Sequence, residues 1–263
     1  VVLDLHGDWR APTRLYGSRA RRLLDPLADA LARWAVRHAD GVRTITAYTT
    51  RLVREQGVEP VAEFPAYMDL AAFTATPVLP LPEEPRALFV GVLERYKAFD
   101  VLADAWPAVV ARLPSARLHV VGHGTLAPRA ARLADEHGSV EWTRELPAEG
   151  VASALDAATA LVLPSRSEGM GRVVIEAGLR GRGVVGSRVG GIPDVVRDGV
   201  TGLLVPPEDP GALAEALVRV LADRALAERL GRAARVEAER WLVSPDEYAR
   251  RVRRLVEDVR RAE

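Results

Sequence analysis

Apolar residues along the chain follow two patterns that alternate from one end to the other. Short, almost continuous apolar runs predict strands buried on both faces, and apolar residues every three or four positions predict helices between them. The predicted strands are Val1–Leu5, Val42–Ile45, Val61–Phe64, Ala87–Val90, Leu118–Val121, Val140–Trp142, Leu161–Leu163, Val184–Gly186 and Gly202–Val205. The predicted helices are Arg19–Ala39, Tyr48–Gln56, Phe99–Arg112, Leu126–His137, Gly150–Ala157, Arg172–Leu179, Pro210–Ala222, Ala225–Glu239 and Pro245 to about Arg260. This alternation predicts an α/β fold with doubly wound parallel sheets.

One proline-rich stretch interrupts the alternation. Four prolines fall within residues 74–85, a density that prevents helices and interior strands. We therefore predict a linker there, with a domain on either side. The predicted divisions are residues 1–73, the linker 74–85, residues 86–244, and a last helix at 245–263 that crosses back to the first domain. Because the first residues already read as a strand, we expect the chain to begin inside its first domain.

Composition excludes several classes of protein. The chain has 263 residues with 36 basic and 36 acidic side chains, so it has no electrostatic bias towards nucleic acid. It has no cysteine, which rules out disulfides and thiolate zinc sites and fits a reducing compartment. No apolar run approaches the ~20 residues that a membrane-spanning helix needs. We expect a cytoplasmic protein.

The segment Pro164–Gly178 is the strongest candidate for a ligand site. It follows a predicted buried strand and opens a predicted helix, whose free N–H groups and dipole favour an anion. Gly169 and Gly171 allow the backbone to approach a ligand closely. Glu168 and Glu176 flank these glycines, and a carboxylate can accept hydrogen bonds from the paired hydroxyls of a sugar. The alternative is that both glutamates are ordinary charges near a helix start.

Three further loops carry candidate residues, each with a plainer alternative. Lys97 is the only lysine in the chain, which favours a need for a compact ammonium, although most lysines are simply surface residues. His6 follows the first strand, where it could donate to a ligand or serve as a structural histidine in a turn. Gly122 and Gly124 follow another strand, where a tight turn is the ordinary explanation. No cluster of potential metal ligands stands out in the sequence.

These segments together resemble the family 4 glycosyltransferases, enzymes of the GT-B fold. Segment Pro164–Gly178 is similar to their E-x7-E signature, and further segments are similar in order and spacing. Those segments are Val90–Ala98, Val120–Gly124 and Gly190–Val205. The resemblance implies two facing Rossmann-like domains, of which the N-terminal one is truncated and lies on the acceptor side. It also implies transfer of a sugar from a nucleoside diphosphate sugar with retention at the anomeric carbon.

The resemblance also implies a role for each candidate residue. The implied catalytic residues are Glu168 at the donor sugar, Lys97 at the diphosphate, and His6. The implied nucleotide-sugar-binding residues are Glu176, which holds the ribose, and Gly169, Met170, Gly171, Val173, Val174, Arg95, Gly91, Gly122 and Arg144. The family's usual Gly-Arg stands here as Gly91-Val92 and its usual Lys-Gly as Lys97-Ala98, so Arg95 is the candidate substitute for the missing arginine. No metal ion and no cofactor is implied, and the base of the donor nucleotide stays open.

The acceptor and the cellular site also stay open. The acceptor can be a glycan, a lipid or a small molecule. An arginine-rich stretch leads into the first long helix; a solvated face is the preferred interpretation, and contact with anionic lipid at the inner face of a membrane is the alternative. Its members are Arg14, Arg19, Arg21 and Arg22. Two other functions remain as alternatives, namely a nucleotide-sugar epimerase of the same architecture and an inactive nucleotide-sugar-binding remnant.

Overall fold

The computed structural model describes residues 1–10, 15 and 24–262, and it contains two parallel sheets. The smaller sheet comes first in the chain and has three strands in the order β1-β2-β3. These strands are β1 (Val2–Leu5), β2 (Gly41–Thr44) and β3 (Ala62–Glu63). The helices described in this part of the chain are α1 (Asp25–His38), α2 (Ala47–Arg54) and α3 (Ala71–Thr74).

Six parallel strands form the larger sheet, in the order β6-β5-β4-β7-β8-β9. They are β4 (Arg86–Val90), β5 (Arg117–Val121), β6 (Val140–Thr143), β7 (Ala160–Leu163), β8 (Gly183–Ser187) and β9 (Gly202–Val205). The helices are α4 (Phe99–Arg112), α5 (Ala127–Glu136), α6 (Ala148–Asp156), α7 (Arg172–Leu179), α8 (Ile192–Val195), α9 (Pro210–Ala222) and α10 (Arg224–Glu239). The strand order reverses between β4 and β7, which leaves a crevice at the carboxyl ends of those two strands. The predicted doubly wound α/β fold is confirmed.

The central strands of the larger sheet are buried on both faces. Leu88 and Phe89 of β4 and Leu161 and Val162 of β7 are all fully buried. Successive residues of a strand point to opposite faces, so this burial requires helices on both sides of the sheet. Trp106 of α4 is buried on one of these faces, and its indole N–H donates to the Ser139 hydroxyl at 3.1 Å. The well-packed core gives the loops at the strand ends a rigid base.

The apolar stripe that predicted α1 is exposed. Leu27, Leu31 and Trp34 expose 59%, 59% and 61% of their surface, whereas Val36 is buried against the smaller sheet. Helical spacing identifies an apolar face, but it does not identify what covers that face. The first part of the predicted helix lies outside the described residues, together with the lipid-contact alternative that rests on Arg14, Arg19, Arg21 and Arg22.

The last helix of the chain, α11 (Pro245–Ala262), lies on the smaller sheet. Leu255 and Val259 are buried with Phe64 in one apolar cluster. Arg43 of β2 places its guanidinium 4.2 Å from the centre of the Phe64 ring and also donates to the Phe64 carbonyl. The chain thus returns to its first sheet after completing the second. Of the helices that the structure describes, none is long and apolar enough to cross a bilayer.

Two buried arginines hold the proline-rich stretch against the second half of the chain. Arg180 and Arg182 are 0% and 1% exposed. They donate to the carbonyl groups of Phe73, Thr76, Pro77, Leu79 and Pro80. Asp156 accepts two hydrogen bonds from Arg180, at 2.9 and 2.6 Å. Burial lowers the pKa of Arg182 to about 10, although Asp156 opposes this shift. The segment predicted as a linker is therefore tied to the larger sheet's helices by hydrogen bonds.

We expect Asp156→Ala to destabilise the chain by about 3–5 kcal/mol, because it leaves buried guanidinium charge without a counter-charge. The free energy of unfolding in urea measures the change. Asp104→Ala is the matched control, since Asp104 pairs with Arg129 on an exposed surface, where an ion pair contributes ~0–1 kcal/mol. Equal effects of the two substitutions would contradict the prediction.

Candidate active site

Two glycine loops meet at the carboxyl ends of β4 and β5. The Gly91 N–H donates to the Val121 carbonyl at 3.0 Å, and the Gly122 N–H donates to the Thr143 carbonyl at 3.0 Å. A Cβ at Gly122 would lie 1.9 Å from the Gly91 oxygen, so a side chain does not fit between the two loops. The Trp142 indole N–H donates to the Gly122 carbonyl at 2.9 Å. The predicted binding residues Gly91 and Gly122 therefore lie together at the crevice, fixed by backbone contacts.

A third loop follows β7 and begins α7. Gly171 precedes α7 in a left-handed conformation, with φ of 82°. A Cβ at Gly190 would lie 2.1 Å from the Glu168 carbonyl oxygen, and a Cβ at Gly169 would lie 1.9 Å from the His6 carbonyl oxygen. The backbones of three separate segments therefore meet at Glu168 and Gly169, with no space for side chains between them.

The two charged residues predicted to act at the diphosphate and the donor sugar are in direct contact. Lys97 Nζ lies 2.5 Å from Glu168 Oε2, and only 13% and 14% of these side chains are exposed. Lys97 ends a 3-10 turn (Arg95–Lys97) after β4, and Glu168 lies in the loop after β7. Ala98 then takes a left-handed conformation with φ of 52°, which costs a non-glycine residue roughly 1–2 kcal/mol. The turn is thus kept in a strained conformation next to Lys97.

Arg166 holds the Lys97 turn against the loop after β7. Its guanidinium makes two 2.8 Å hydrogen bonds to Asp100, one of 2.5 Å to Glu208 and one of 2.7 Å to the Arg95 carbonyl. The hydrogen bonds to Asp100 raise the pKa of Arg166, although burial opposes the shift. Burial alone would raise the pKa of Asp100, but the hydrogen bonds and the positive charge of Arg166, with smaller contributions from other groups, together leave that pKa below its usual value. Sequence reasoning missed this network, because its carboxylates lie 66 and 42 residues from Arg166.

Glu176 is buried in the second turn of α7. Its Oε1 accepts a 2.7 Å hydrogen bond from Arg172, whose other end donates to the Asp69 carbonyl at 2.8 Å. Burial raises the pKa of Glu176, and the Arg172 charge opposes this shift. Of the predicted backbone donors, the Val174 N–H is already used within the helix start, where it donates to the Gly171 carbonyl at 2.8 Å. Glu176 is therefore no solvated helix charge.

The remaining predicted site residues differ in how they are placed. His6 Nε2 lies 2.9 Å from a carboxylate oxygen of Asp4, and 55% of the His6 side chain is exposed. Arg95 and Arg144 are exposed as well. Three candidates, Met170, Val173 and Val174, have their side chains in the larger sheet's core and can offer a ligand their backbone only. Within residues 1–10, 15 and 24–262, no three potential ligand side chains are grouped to hold a metal ion.

Comparison with known proteins identifies the family of the chain. The family described as Glycosyl transferases group 1 matches residues 84–223, which are more than half of the chain. This chain belongs to the group 1 glycosyl transferases. The resemblance of its motifs to family 4 glycosyltransferases is thereby confirmed.

Two relatives show how much of a group 1 glycosyl transferase this chain represents. The D-inositol 3-phosphate glycosyltransferase of Saccharomonospora viridis is 34% identical over 257 residues, which are 89% of this chain and 57% of that protein. A sulfoquinovosyl transferase of Arabidopsis thaliana is 34% identical over 163 residues, which are 61% of this chain and 31% of that protein. The chain spans less than three fifths of the length of these relatives.

Solved structures of the same architecture confirm the predicted GT-B fold. Sucrose-phosphate synthase from Thermosynechococcus elongatus matches with a TM-score of 0.80 and 26% identity, over 100% of this chain and 68% of that one. The Anabaena protein HepE, solved with UDP and glucose, matches with a TM-score of 0.73 and 19% identity, over 97% of this chain and 71% of that one. In both comparisons the match includes the two sheets described above, because it extends over nearly the whole chain.

We expect Glu176→Gln to stabilise the unliganded glycosyl transferase chain at neutral pH. The raised pKa means that the folded state binds the Glu176 proton more tightly than the unfolded state, so stability falls as pH rises past the usual pKa of 4.5. Glutamine stays neutral and still accepts from Arg172. In urea at neutral pH, the free energy of unfolding should therefore be larger for the variant than for the unsubstituted chain, and this difference should shrink at a pH below 4.5. A variant that is less stable at neutral pH would contradict this prediction.

Proposed function

We propose that this chain carries the donor site of a retaining glycosyltransferase, which moves a sugar from a nucleoside diphosphate sugar to a hydroxyl group of an acceptor. The main support is the Lys97–Glu168 pair, which lies near the start of α7, where the strand order reverses between β4 and β7. In doubly wound sheets, nucleotides bind in the crevice at this reversal of strand order. Membership of the group 1 glycosyl transferases supports the same function.

The start of α7 and Lys97 favour a diphosphate between them. The first N–H groups of a helix and its dipole attract an anion, and the Lys97 ammonium adds a compact positive charge. In the unliganded chain that ammonium is paired with Glu168. A bound diphosphate competes with Glu168 for the same ammonium. Glu168 can then turn its carboxylate oxygens to the hydroxyls of the donor sugar.

Glu176 is proposed to bind the ribose of the donor. Arg172 uses one carboxylate oxygen of Glu176, and a carboxylate can accept more hydrogen bonds than that one. Ribose hydroxyls donate to the charged form of a carboxylate and so favour its ionisation. Ribose binding would therefore offset the burial that raises the pKa of Glu176 in the unliganded chain.

The proposed reaction proceeds on one face of the anomeric carbon. The bond to the diphosphate oxygen breaks, the acceptor hydroxyl forms the new bond on the same face, and the leaving phosphate takes the hydroxyl proton. The protein contributes position and charge neutralisation through Lys97 and the start of α7. His6 has its carbonyl oxygen against Gly169, and we propose that its side chain contacts the donor sugar once the donor is bound.

The relatives and neighbours suggest a class of donor and a class of acceptor. HepE has been solved with UDP-glucose, which makes that donor the first probe. The relative from Saccharomonospora viridis is named for D-inositol 3-phosphate, so we propose a polyhydroxylated, carbohydrate-like acceptor. A lipid acceptor, with contact between the enzyme and a membrane surface, is the alternative. We also propose that the donor binds without a divalent metal ion.

Calorimetric titration of the chain with UDP-glucose, GDP-glucose and ADP-glucose in the presence of EDTA tests the proposal. Saturable binding of one donor is expected. If none of the three donors binds, the proposed donor site is wrong. If a donor binds only after magnesium or manganese is added back, the proposed metal independence is wrong. Product analysis then separates the reactions, since transfer releases the nucleotide, epimerisation returns an altered sugar still attached to it, and a binding remnant produces neither.

We expect Glu176→Gln and Glu168→Gln to affect different steps. Loss of the Glu176 charge should weaken donor binding about 10-fold or more, since a hydrogen bond to a charged group contributes ~1.5–3 kcal/mol. Glu168→Gln removes the competitor for Lys97, so affinity should persist while turnover falls. Calorimetry and nucleotide release measure the two effects, with the exposed Glu141→Gln as a control. Negligible effects of both substitutions would contradict these roles.

Lys97→Ala is expected to weaken donor binding by about 10- to 150-fold, the range for one charge-assisted hydrogen bond. Lys97→Arg keeps the charge but replaces a compact ammonium with a planar fork, so a partial loss is expected. Arg232→Ala is the control, because Arg232 is exposed on α10, outside the crevice. Unchanged donor affinity in Lys97→Ala would show that Lys97 does not contribute to donor binding.

A further inference from the structure

Two hydrogen bonds join the smaller sheet directly to the loops of the larger one. The Thr46 hydroxyl donates to the Gly169 carbonyl at 3.1 Å, and the Tyr48 N–H donates to Asp194 Oδ2 at 2.6 Å. Thr46 and Tyr48 lie at the start of α2, whereas Gly169 lies in the loop that follows β7 and Asp194 lies on α8, the short helix that follows β8. We call these four residues the clasp.

Thr46 uses both functions of its hydroxyl group. Its oxygen accepts from the Thr49 N–H at 3.3 Å, and Thr49 Oγ1 accepts in turn from the Thr46 N–H at 3.0 Å, which forms a capping box for α2. A hydroxyl has a single hydrogen to donate. The Thr49 hydroxyl donates to the Thr46 carbonyl, and the Thr46 hydroxyl donates to the Gly169 carbonyl at 3.1 Å, which is nearer than Thr49 Oγ1 at 3.4 Å. One side chain thus caps a helix of the first sheet and binds a loop of the second.

Asp194 gives α2 a second cap from a distant part of the chain. The first N–H groups of a helix have no partner within it, and Tyr48 finds its acceptor 146 residues away. A carboxylate in this position is also favoured by the helix dipole. Arg51, further along α2, lies 3.7 Å from the other Asp194 oxygen. The Asp194 side chain is largely buried, so water competes little for these contacts.

Backbone contacts connect the clasp to Glu168. Asp194 closely follows Gly190 and Gly191 in the chain, and the Gly191 N–H donates to the Glu168 carbonyl at 2.9 Å. A Cβ at Gly191 would lie 2.0 Å from the Gly169 oxygen, so the backbones of the two loops are in close contact with no room for a side chain. The start of α2 therefore touches the Glu168–Gly169 backbone directly through Thr46 and indirectly through Asp194.

We propose that Thr46 and Asp194 are positioning residues that hold Glu168 in its place beside Lys97 only while α2 is docked against the larger sheet. This proposal rests on the proposed donor site. When the clasp opens, the loop at Glu168 loses its hydrogen bond from Thr46, and the neighbouring segment that contacts it loses the hydrogen bond between Asp194 and α2. Donor affinity then falls in proportion to the fraction of molecules that keep the loop in place. The docking of α2 thus determines how many molecules have Glu168 in position to bind the donor, although no side chain of α2 contacts the donor itself.

Substitutions at Thr46 can separate its two hydrogen bonds. Thr46→Ser keeps both. Thr46→Asp keeps a good cap acceptor for α2 but has no hydroxyl hydrogen, and it turns a negative oxygen towards the Gly169 carbonyl. Asp194→Ala removes the second half of the clasp. The matched control is Asp223→Ala, which removes the cap of α10, where Asp223 accepts from the Leu226 N–H at 2.9 Å.

Amide hydrogen exchange in the unliganded chain tests the clasp without any donor. We expect about 3- to 10-fold faster exchange at residues 168–172 in Thr46→Asp, the effect of losing one hydrogen bond, while α2 keeps its protection. Asp194→Ala should speed exchange both there and at the start of α2. Thr46→Ser and Asp223→Ala should leave residues 168–172 unchanged. If Thr46 were only a helix cap, Thr46→Asp would have no effect on that segment.

UDP-glucose affinity gives the second readout. It should fall by a similar factor in Thr46→Asp and in Asp194→Ala, and it should recover in Thr46→Ser. If the unsubstituted chain does not bind UDP-glucose or any other nucleotide sugar, the proposed function is wrong, whatever the exchange shows. Unchanged exchange at residues 168–172 in both Thr46→Asp and Asp194→Ala would overturn the clasp, even where the donor binds.

Discussion

Close backbone contact at Gly169 is the constraint on which the rest of the candidate site depends. A Cβ at Gly169 would lie 1.9 Å from the His6 carbonyl oxygen, whereas nonbonded heavy atoms need a separation of roughly 3.5 Å. Any side chain there would separate the two sheets by more than an ångström. At that separation the Thr46 hydroxyl could no longer reach the Gly169 carbonyl, which it now meets at 3.1 Å. The absence of one side chain thus sets how closely two sheets approach a shared loop.

Two cations near this loop differ in how many groups they bind. One of them orders the loop, and the other can release its carboxylate when an anion binds. Arg166 is held by Asp100, Glu208 and a carbonyl at once, and a planar guanidinium with several fixed partners orders the loop. Lys97 has a compact ammonium that pairs with Glu168. An incoming anion has to replace one carboxylate at Lys97, but several partners at Arg166. Lys97 is therefore the cation better placed to change partners, and Arg166 the one that keeps the turn in position.

Much of the fold follows from local signals in the sequence. The helices Phe99–Arg112, Arg172–Leu179 and Pro210–Ala222 are predicted with the bounds that the structure has, because apolar period and helix-start residues lie close together in the chain. The helix Ala71–Thr74 is not predicted, since four residues are too few to show a period. Nor does spacing predict that Trp34 is exposed, because exposure depends on what other parts of the molecule cover.

The candidate site also has a part that the sequence predicts and a part that it does not. The positions of strand ends predict which residues lie there, whereas the contacts between those residues are known only from the structure. Lys97 and Glu168 could be chosen from sequence because both follow strands whose carboxyl ends meet in one crevice. The partners that fix them could not. Tyr48 and Asp194 are 146 residues apart, and an aspartate on a short helix has many possible partners until the two sheets are placed against each other. The order of the strands therefore determines where the candidate site lies, whereas the distances between its side chains depend on hydrogen bonds between the two halves of the chain. For that reason, the geometry of the loop at Glu168 is a property of both sheets, although the residues proposed to bind the diphosphate and the ribose all lie in the half of the chain that carries the larger one.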